Sequence, residues 1–285
     1  MIVYKKIDEA FDFYSIDKKY KKMCYDCVEE INNSDIYTEA FDKVYKRLYY
    51  NDLSDIRELW NIKDINELFT NNVNPFITNI MIILGFEFHL YNIKKYNLDE
   101  QQIIIHKKRV KECFENDLAN RGYNGVRISQ MLWAIYFIRV RIIEIGRLQY
   151  QYSITDDNKQ VIKIHIPRGN KLDISSVNKS IDDSKKEIEK IFKISNWQYV
   201  CNSWLLSNQI HELVDEDTNI YKFQILFDVK DGEVCINDIL NFVYEMERCD
   251  NYSLLPENTK LQKKIKEQLL NGKEFYLGIG ILKEK

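Results

Sequence analysis

Glycine is distributed so unevenly along this chain that it divides the fold before any other feature is considered. Residues 1–120 contain one glycine, Gly85, and the remaining 165 residues contain the other eight. Inside a helix glycine costs about 1 kcal/mol relative to alanine, whereas turns and bends favour it. The first part is therefore expected to be helical, and the second to mix strands, turns and helices.

Apolar spacing agrees with this division. Tyr20–Ile31, Tyr37–Leu48 and Ser54–Trp60 carry apolar residues at helical intervals, with Ser34 or Asp35 and then Ser54 as caps. Pro75 opens a segment that is apolar nearly all round from Phe76 to Tyr91, which reads as a buried central helix. Asp99–Leu118 is a further helix, and Val126 to about Ile138 another. Leu148, Tyr150 and Tyr152 then alternate with polar residues, as does Val161–Ile166, which predicts a hairpin. After the loop Pro167-Arg168-Gly169-Asn170-Lys171, a helix capped by Asp173 or Ser175 keeps Ile174, Val177, Ile181, Ile188 and Ile191 on one face. Strands are expected at Gln198–Leu205, Ile220–Val229 and Phe275–Leu282, with a turn at Asp231-Gly232 and a helix at Thr259–Leu270.

With 285 residues, 45% of them hydrophobic and 30% charged, the chain can build two domain-sized cores under a charged surface. Its 41 basic and 44 acidic residues are interspersed, with no basic stripe. That pattern argues against nucleic acid and against a membrane surface as partners. The apolar stretches Phe76–Phe86 and Met131–Ile138 are well short of the ~18 to 20 residues of a membrane span. Acids stand in MIVYKKIDEAF where an export signal would be apolar, and the six cysteines lie far apart. Reduced thiols in a cytoplasm are the expectation. Abundant Ile, Asn and Lys point to an AT-rich bacterial genome.

The segments IGRLQYQYS, IKIHIPRG, the helix from Ser176 to Phe192, WQYVCNSWLLS, NIYKFQILFDV and LPENTKLQKKIKEQLLNG resemble, in that order, a bacterial family. Its members are acyltransferases with an N-terminal helical domain and a GNAT-like C-terminal domain. The resemblance covers about residues 130–285, and the N-terminal helices by layout alone. It implies an α+β fold, with a helical N-terminal domain at 1–125 and a GNAT-like mixed-sheet domain at 126–285. It also implies that acyl-coenzyme A, as co-substrate, binds beside a splayed pair of strands and that its pyrophosphate meets backbone N–H groups at a helix start. An acceptor amine, on a small molecule or peptide, would then attack the thioester directly. The oligomeric state is left open.

The phosphate loop departs from the family pattern, which is Arg or Gln, two residues, Gly, one residue, then Gly or Ala. Arg168, Gly169, Asn170 and Lys171 are the best-placed coenzyme-binding candidates, with one glycine and two basic residues between a strand and a helix. Gly278-Ile279-Gly280 has no helix after it. His165 reads either as a general base or as a half-buried strand residue. Cys201 and Ser203, at the end of a strand, are nucleophile candidates with no recognisable His–acid pair to activate them. Arg147 either contacts an anionic substrate or pairs with an acid. Cys24 and Cys27 are helical neighbours, and no second pair completes a metal site. The alternatives to acyl transfer are a non-catalytic binding or regulatory module and a binder of another phosphorylated ligand.

Overall fold

The computed structural model describes residues 4–50, 74–120, 124–155, 157–169 and 171–283. It divides into two compact units, one ending at Glu144 and the other beginning at Ile145. The α+β expectation holds, with helices first and a mixed sheet with its own helices after them.

Seven α-helices are described in the first unit. They are α1 (Tyr4–Tyr14), α2 (Lys21–Asn32), α3 (Asp35–Tyr50), α4 (Ile77–Leu84), α5 (Phe86–Lys95), α6 (Glu100–Asn120) and α7 (Ile128–Ile138). The expected helix at Ser54–Trp60 lies outside the described residues. Every residue of α4 is buried, and α4 sits in a continuous core with Phe11, Ile31, Leu48, Phe114 and Ile135. The apolar run from Phe76 to Tyr91 is two helices, not one. Between them stands Gly85, where a Cβ would overlap the ring of Tyr49. Ser34 caps α3 by accepting from the Tyr37 amide at 3.3 Å.

The division falls after Glu144, not after residue 125. Helix α7 explains the difference: Met131, Leu132, Ala134, Ile135, Phe137 and Ile138 all belong to the core of the first unit. Polar contacts hold the same boundary. Asp117 is buried and accepts from the Arg127 amide and guanidinium at 3.0 Å. Glu144 takes both a bidentate pair from Arg109 at 2.7 Å and, through its carbonyl, the Gln102 amide at 2.9 Å.

Beyond the short strand β1 (Ile142–Ile145), the second unit contains β2 (Leu148–Ile154), β3 (Gln160–His165), helix α8 (Ile174–Phe192) and β4 (Gln198–Ser203). Helices α9 (Asn208–His211) and α10 (Asn219–Gln224), strand β5 (Phe227–Val234), helices α11 (Ile236–Val243) and α12 (Lys260–Leu270), and strand β6 (Tyr276–Leu282) complete it. The six-stranded sheet has the order β1-β2-β3-β4-β6-β5. β2 and β3 form the expected antiparallel hairpin.

Helix α8 lies on β2 through serines as well as aliphatic residues. Ser180 Oγ bonds the Ile145 carbonyl and, at 2.8 Å, the Tyr150 hydroxyl, while Ser184 Oγ and Tyr199 Oη are 2.7 Å apart. A second core packs Ile239 and Leu240 of α11 against Ile265 and Leu269 of α12. Thr259 and Gln262 close a capping box at the start of α12.

One strand expectation and one turn expectation are corrected. Ile220–Val229 begins as helix α10, started by Thr218 accepting from the Tyr221 amide, and turns to strand only at Phe227. Asp231-Gly232 is not a turn but lies inside β5, which carries a register irregularity between Asp231 and Val234.

Candidate functional site

The parallel strands β3 and β4 pair over three positions only: Val161 with Gln198, Ile162 with Tyr199 and Lys163 with Val200. Past Lys163, β3 stays on β2, with Ile164 opposite Tyr150 and His165 opposite Gln149. Past Val200, β4 stays on β6, with Cys201 opposite Gly280 and Ser203 opposite Gly278. The two strand ends therefore diverge, and the sheet opens between them. Two glycines draw β4 towards β6. A Cβ on Gly278 would overlap the Leu206 carbonyl, and one on Gly280 would meet the Leu206 side chain, so Leu206 can lie directly on β6.

His165 stands at the open end of β3, half-buried, with Nε2 2.8 Å from Gln151 Oε1. The amide oxygen can only accept, so Nε2 carries the proton in this contact. Burial first, and the Lys163 ammonium second, hold the imidazole well below its ordinary pKa. The ring is neutral at pH 7 and only weakly basic. Cys201 is 1% exposed, and burial pushes its thiol up to about 12, which is unsuited to a nucleophile that must ionise. Ser203 Oγ accepts from the Leu205 amide at 3.1 Å, opening the short turn Trp204–Leu206, and its own proton can still be donated.

The loop after β3 is held from the turn between β1 and β2. Arg147, 9% exposed, donates from Nε to the Lys171 carbonyl at 2.9 Å and from Nη1 to the Pro167 carbonyl at 3.0 Å. Gly169 has φ +113°, and a Cβ there would meet nothing within 4 Å, so the loop tip is open. The Lys171 side chain is exposed, and Asn170 lies outside the described residues. Arg168 turns to α11, donating to the Asn241 carbonyl at 2.6 Å with its guanidinium 4.8 Å from the Phe242 ring centroid. The Trp204 ring stacks on Phe242 from the end of β4, at 6.5 Å between centroids. Phe242 thus touches residues just beyond both diverging strands.

The first turn of α8 is already capped by an anion. Asp173 accepts from the Ser176 amide at 2.9 Å and from the Ser175 hydroxyl at 2.7 Å, and these bonds hold its carboxyl below the ordinary range.

Sequence reasoning picked out His165, Cys201, Ser203 and the loop, and the structure brings these to one end of β3 and β4. It missed Phe242, which lies more than 70 residues from Arg168 in the chain. Nothing in local periodicity could have paired them. Hollows of about 460 Å³ beside Asp26 and Glu30 and of about 200 Å³ beside Glu212 and Glu274 lie elsewhere. Among the described residues, no group of three or more His, Cys, Asp or Glu could hold a metal ion. No described helix is long and apolar enough to cross a membrane.

A mixed sheet that opens between its two parallel strands, with a helix crossing from one to the other, defines a GNAT-like domain. Residues 142–282, just under half of the chain, match the family of the GNAT-like C-terminal domain. Two solved structures of similar fold are acyltransferases. One, in complex with decanoyl-CoA, has a TM-score of 0.66 at 16% identity, covering 98% of this chain and 99% of its own. Another, in complex with CoA and 10C-teicoplanin, has a TM-score of 0.67 at 13% identity, covering 97% of this chain and 99% of its own. At such identities the likeness is one of fold. A stretch of Protein Ycf2 from Marchantia polymorpha is 23% identical over 302 residues, matching 99% of this chain. The chain spans only 13% of that protein's length.

Proposed function

We propose that this protein transfers an acyl group from acyl-coenzyme A to an amine, with the thioester held where β3 and β4 diverge. The observation that carries the reading is the parallel ladder that stops at Lys163 and Val200 while both strands continue. Exposed main-chain groups at such an opening can bond an extended pantetheine arm, as an added strand would be bonded. The acyltransferases of similar fold that bind decanoyl-CoA and CoA support the choice of co-substrate.

The chemistry needs no covalent enzyme intermediate. The amine lone pair attacks the thioester carbonyl carbon, the C–S bond breaks, and the nitrogen loses a proton while the departing thiolate gains one. Of the three candidates for catalysis, the buried thiol of Cys201 fits no step. Ser203 can donate its hydroxyl proton to the developing oxyanion or thiolate. His165 is too weak a base to drive deprotonation, and its place is that of a neutral hydrogen-bonding group. An amine on a small molecule or peptide is the acceptor class.

A second reading has its own support, since the carboxylate of Asp173 fills the helix start where a pyrophosphate would otherwise sit. On that reading the domain is a binding or regulatory module that takes no coenzyme A. Thermal unfolding with acetyl-CoA and with free CoA separates the two. Ligand at about 100 times its dissociation constant stabilises by roughly 2.7 kcal/mol, which raises Tm by about 2–4 °C per kcal/mol. Gly169→Glu, strained at φ +113°, is expected to abolish the shift. No shift in the wild-type protein at millimolar ligand would leave the binding module.

A further inference from the structure

Helix α11 crosses the open end of the sheet. It starts where β5 ends, with Val234 opposite Tyr276 and the Cys235 amide bonded to the Phe275 carbonyl at 2.8 Å. Ser203 pairs with Gly278 close by on β6, so β4 finishes at this end as well. β3, parallel to β4, does the same. By Asn241 and Phe242 the helix has reached the Arg168 guanidinium beyond β3 and the Trp204 ring beyond β4.

The two sides of α11 meet different surroundings. Ile239 and Leu240 are buried in the core shared with α12. Phe242 meets Trp204 and Arg168. Asp238, four residues earlier, shares that side of the helix, where such neighbours have Cβ atoms roughly 5–6 Å apart. Asp238 is half-buried, and among the described residues no hydrogen bond or ion pair involves its carboxylate. Other acids show the contrast. Lys21 holds the carboxyl of Asp8 below its ordinary range and Lys266 does the same for Glu257, whereas burial first and the Glu233 charge second push Asp238 up. The start of a helix favours an acid, but it supplies this carboxylate with no hydrogen-bond donor. A desolvated carboxylate without a counter-ion lowers stability, and at the mouth of a site it suits a cation that arrives with the ligand.

Beside it stands an aromatic wall. The Trp204 and Phe242 rings stack at 6.5 Å with 19° between their planes. Phe242 is 44% exposed and Trp204 part-exposed, so a ligand can reach both. Ring faces attract an ammonium ion, and ring carbon accommodates the apolar body that carries it.

We propose that Asp238 is a specificity-determining residue that holds the acceptor by its ammonium group, against the Trp204–Phe242 wall, where β3 and β4 diverge. The acceptor class is then a primary amine, charged at neutral pH and carried on an aromatic or other apolar body. An alcohol of the same shape is not held, because it leaves the carboxylate without a counter-charge. The assignment rests on the acyl-transfer reading above and deepens it, naming where the amine enters.

The probe is phenethylammonium chloride, with 2-phenylethanol as its uncharged counterpart. Binding to the full chain is followed by the indole N–H signal of Trp204 in proton–nitrogen correlation spectra, assigned with Trp204→Phe. In the wild-type protein, millimolar phenethylammonium is expected to shift that signal and phenylethanol to leave it in place. Asp238→Asn, which keeps the shape and removes the charge, should bind phenethylammonium about tenfold or more weakly, as for a lost hydrogen bond to a charged group. Asp238→Glu, which keeps the charge, should retain most of the binding. Urea midpoints report that both variants are folded. Equal binding of the ammonium and the alcohol, or of the wild type and Asp238→Asn, would overturn the role of the carboxylate. CoA is titrated in parallel by its thermal shift. Wild-type protein that binds CoA but not phenethylammonium would overturn the amine site and leave acyl transfer standing. Charge-dependent binding of phenethylammonium without any response to CoA would end the acyl-coenzyme A reading and uphold the cation site. Binding of neither would overturn both.

Discussion

The guanidinium of Arg168 lies 4.8 Å from the centroid of the Phe242 ring and donates to the neighbouring Asn241 carbonyl at 2.6 Å. Arg168 follows β3, Phe242 belongs to α11, and Trp204, stacked on the same ring, follows β4. One aromatic side chain thus ties together the segments that leave the two diverging strands. A guanidinium committed in this way is a latch between loop and helix before it is a phosphate ligand.

Arg168→Ala and Phe242→Ala should each lower stability, and their effects should not add. A cation–π contact at a partly exposed site contributes about 0.5–1 kcal/mol, and side chains in direct contact show coupling of that order. A double-mutant cycle by urea unfolding measures it. Additivity within about 0.3 kcal/mol would mean that the latch contributes nothing.

Thiol reactivity offers a second check. Cys24, Cys27, Cys113, Cys201 and Cys235 are buried, and Cys249 alone is part-exposed. Burial raises the thiol of Cys201 to about 12 and that of Cys113 likewise, so neither offers thiolate near neutral pH. An aromatic disulfide reagent should titrate one thiol in the native protein and six after denaturation. Cys249→Ser should remove the native signal. Rapid reaction of Cys201 would overturn its placement in the core.

Stability should fall in mild acid because of two buried histidines. His89 meets the Tyr14 hydroxyl at 3.0 Å and His106 the Phe137 carbonyl at 3.1 Å, while the Nε2 atom of each is buried without a partner. Burial first lowers both values, to about 4 for His106, with Lys107 beside His89 and Glu144 near His106 as the charged neighbours. The unfolded state binds protons below about pH 6.5 that the folded state refuses, so stability is complete above that pH and lost as pH falls towards 4. For His106 the loss amounts to roughly 3 kcal/mol at most. Urea midpoints should rise from pH 4.5 to 6.5, and His106→Leu should flatten the rise. An unchanged slope in that variant would assign the acid sensitivity to other groups.

Much of the fold was legible because it follows from local rules. Helix α8 was readable from Asp173 and the apolar spacing of Val177, Ile181 and Ile188, all of which are buried as expected. The β2–β3 hairpin was readable from strict alternation. The stretch from Ile220 was misread, since Ile220 and Phe223 suit a helix face as well as a strand and only Thr218 marks the helix start. β1 has four residues, too few for a period to declare itself.

The site divides the same way. Composition and periodicity determined that helices precede a mixed sheet, and residue order brought His165 and Ser203 to corresponding strand ends. Both outcomes depend on neighbours along the chain, where spacing alone sets direction and face. Only the tertiary structure decided that Arg147 holds the carbonyls of Pro167 and Lys171, that Arg168 is bound to α11, and that Asp173 occupies the α8 start. These contacts, except the local cap, join residues 20 or more positions apart. Such pairings depend on where whole elements come to rest, and no local pattern encodes that.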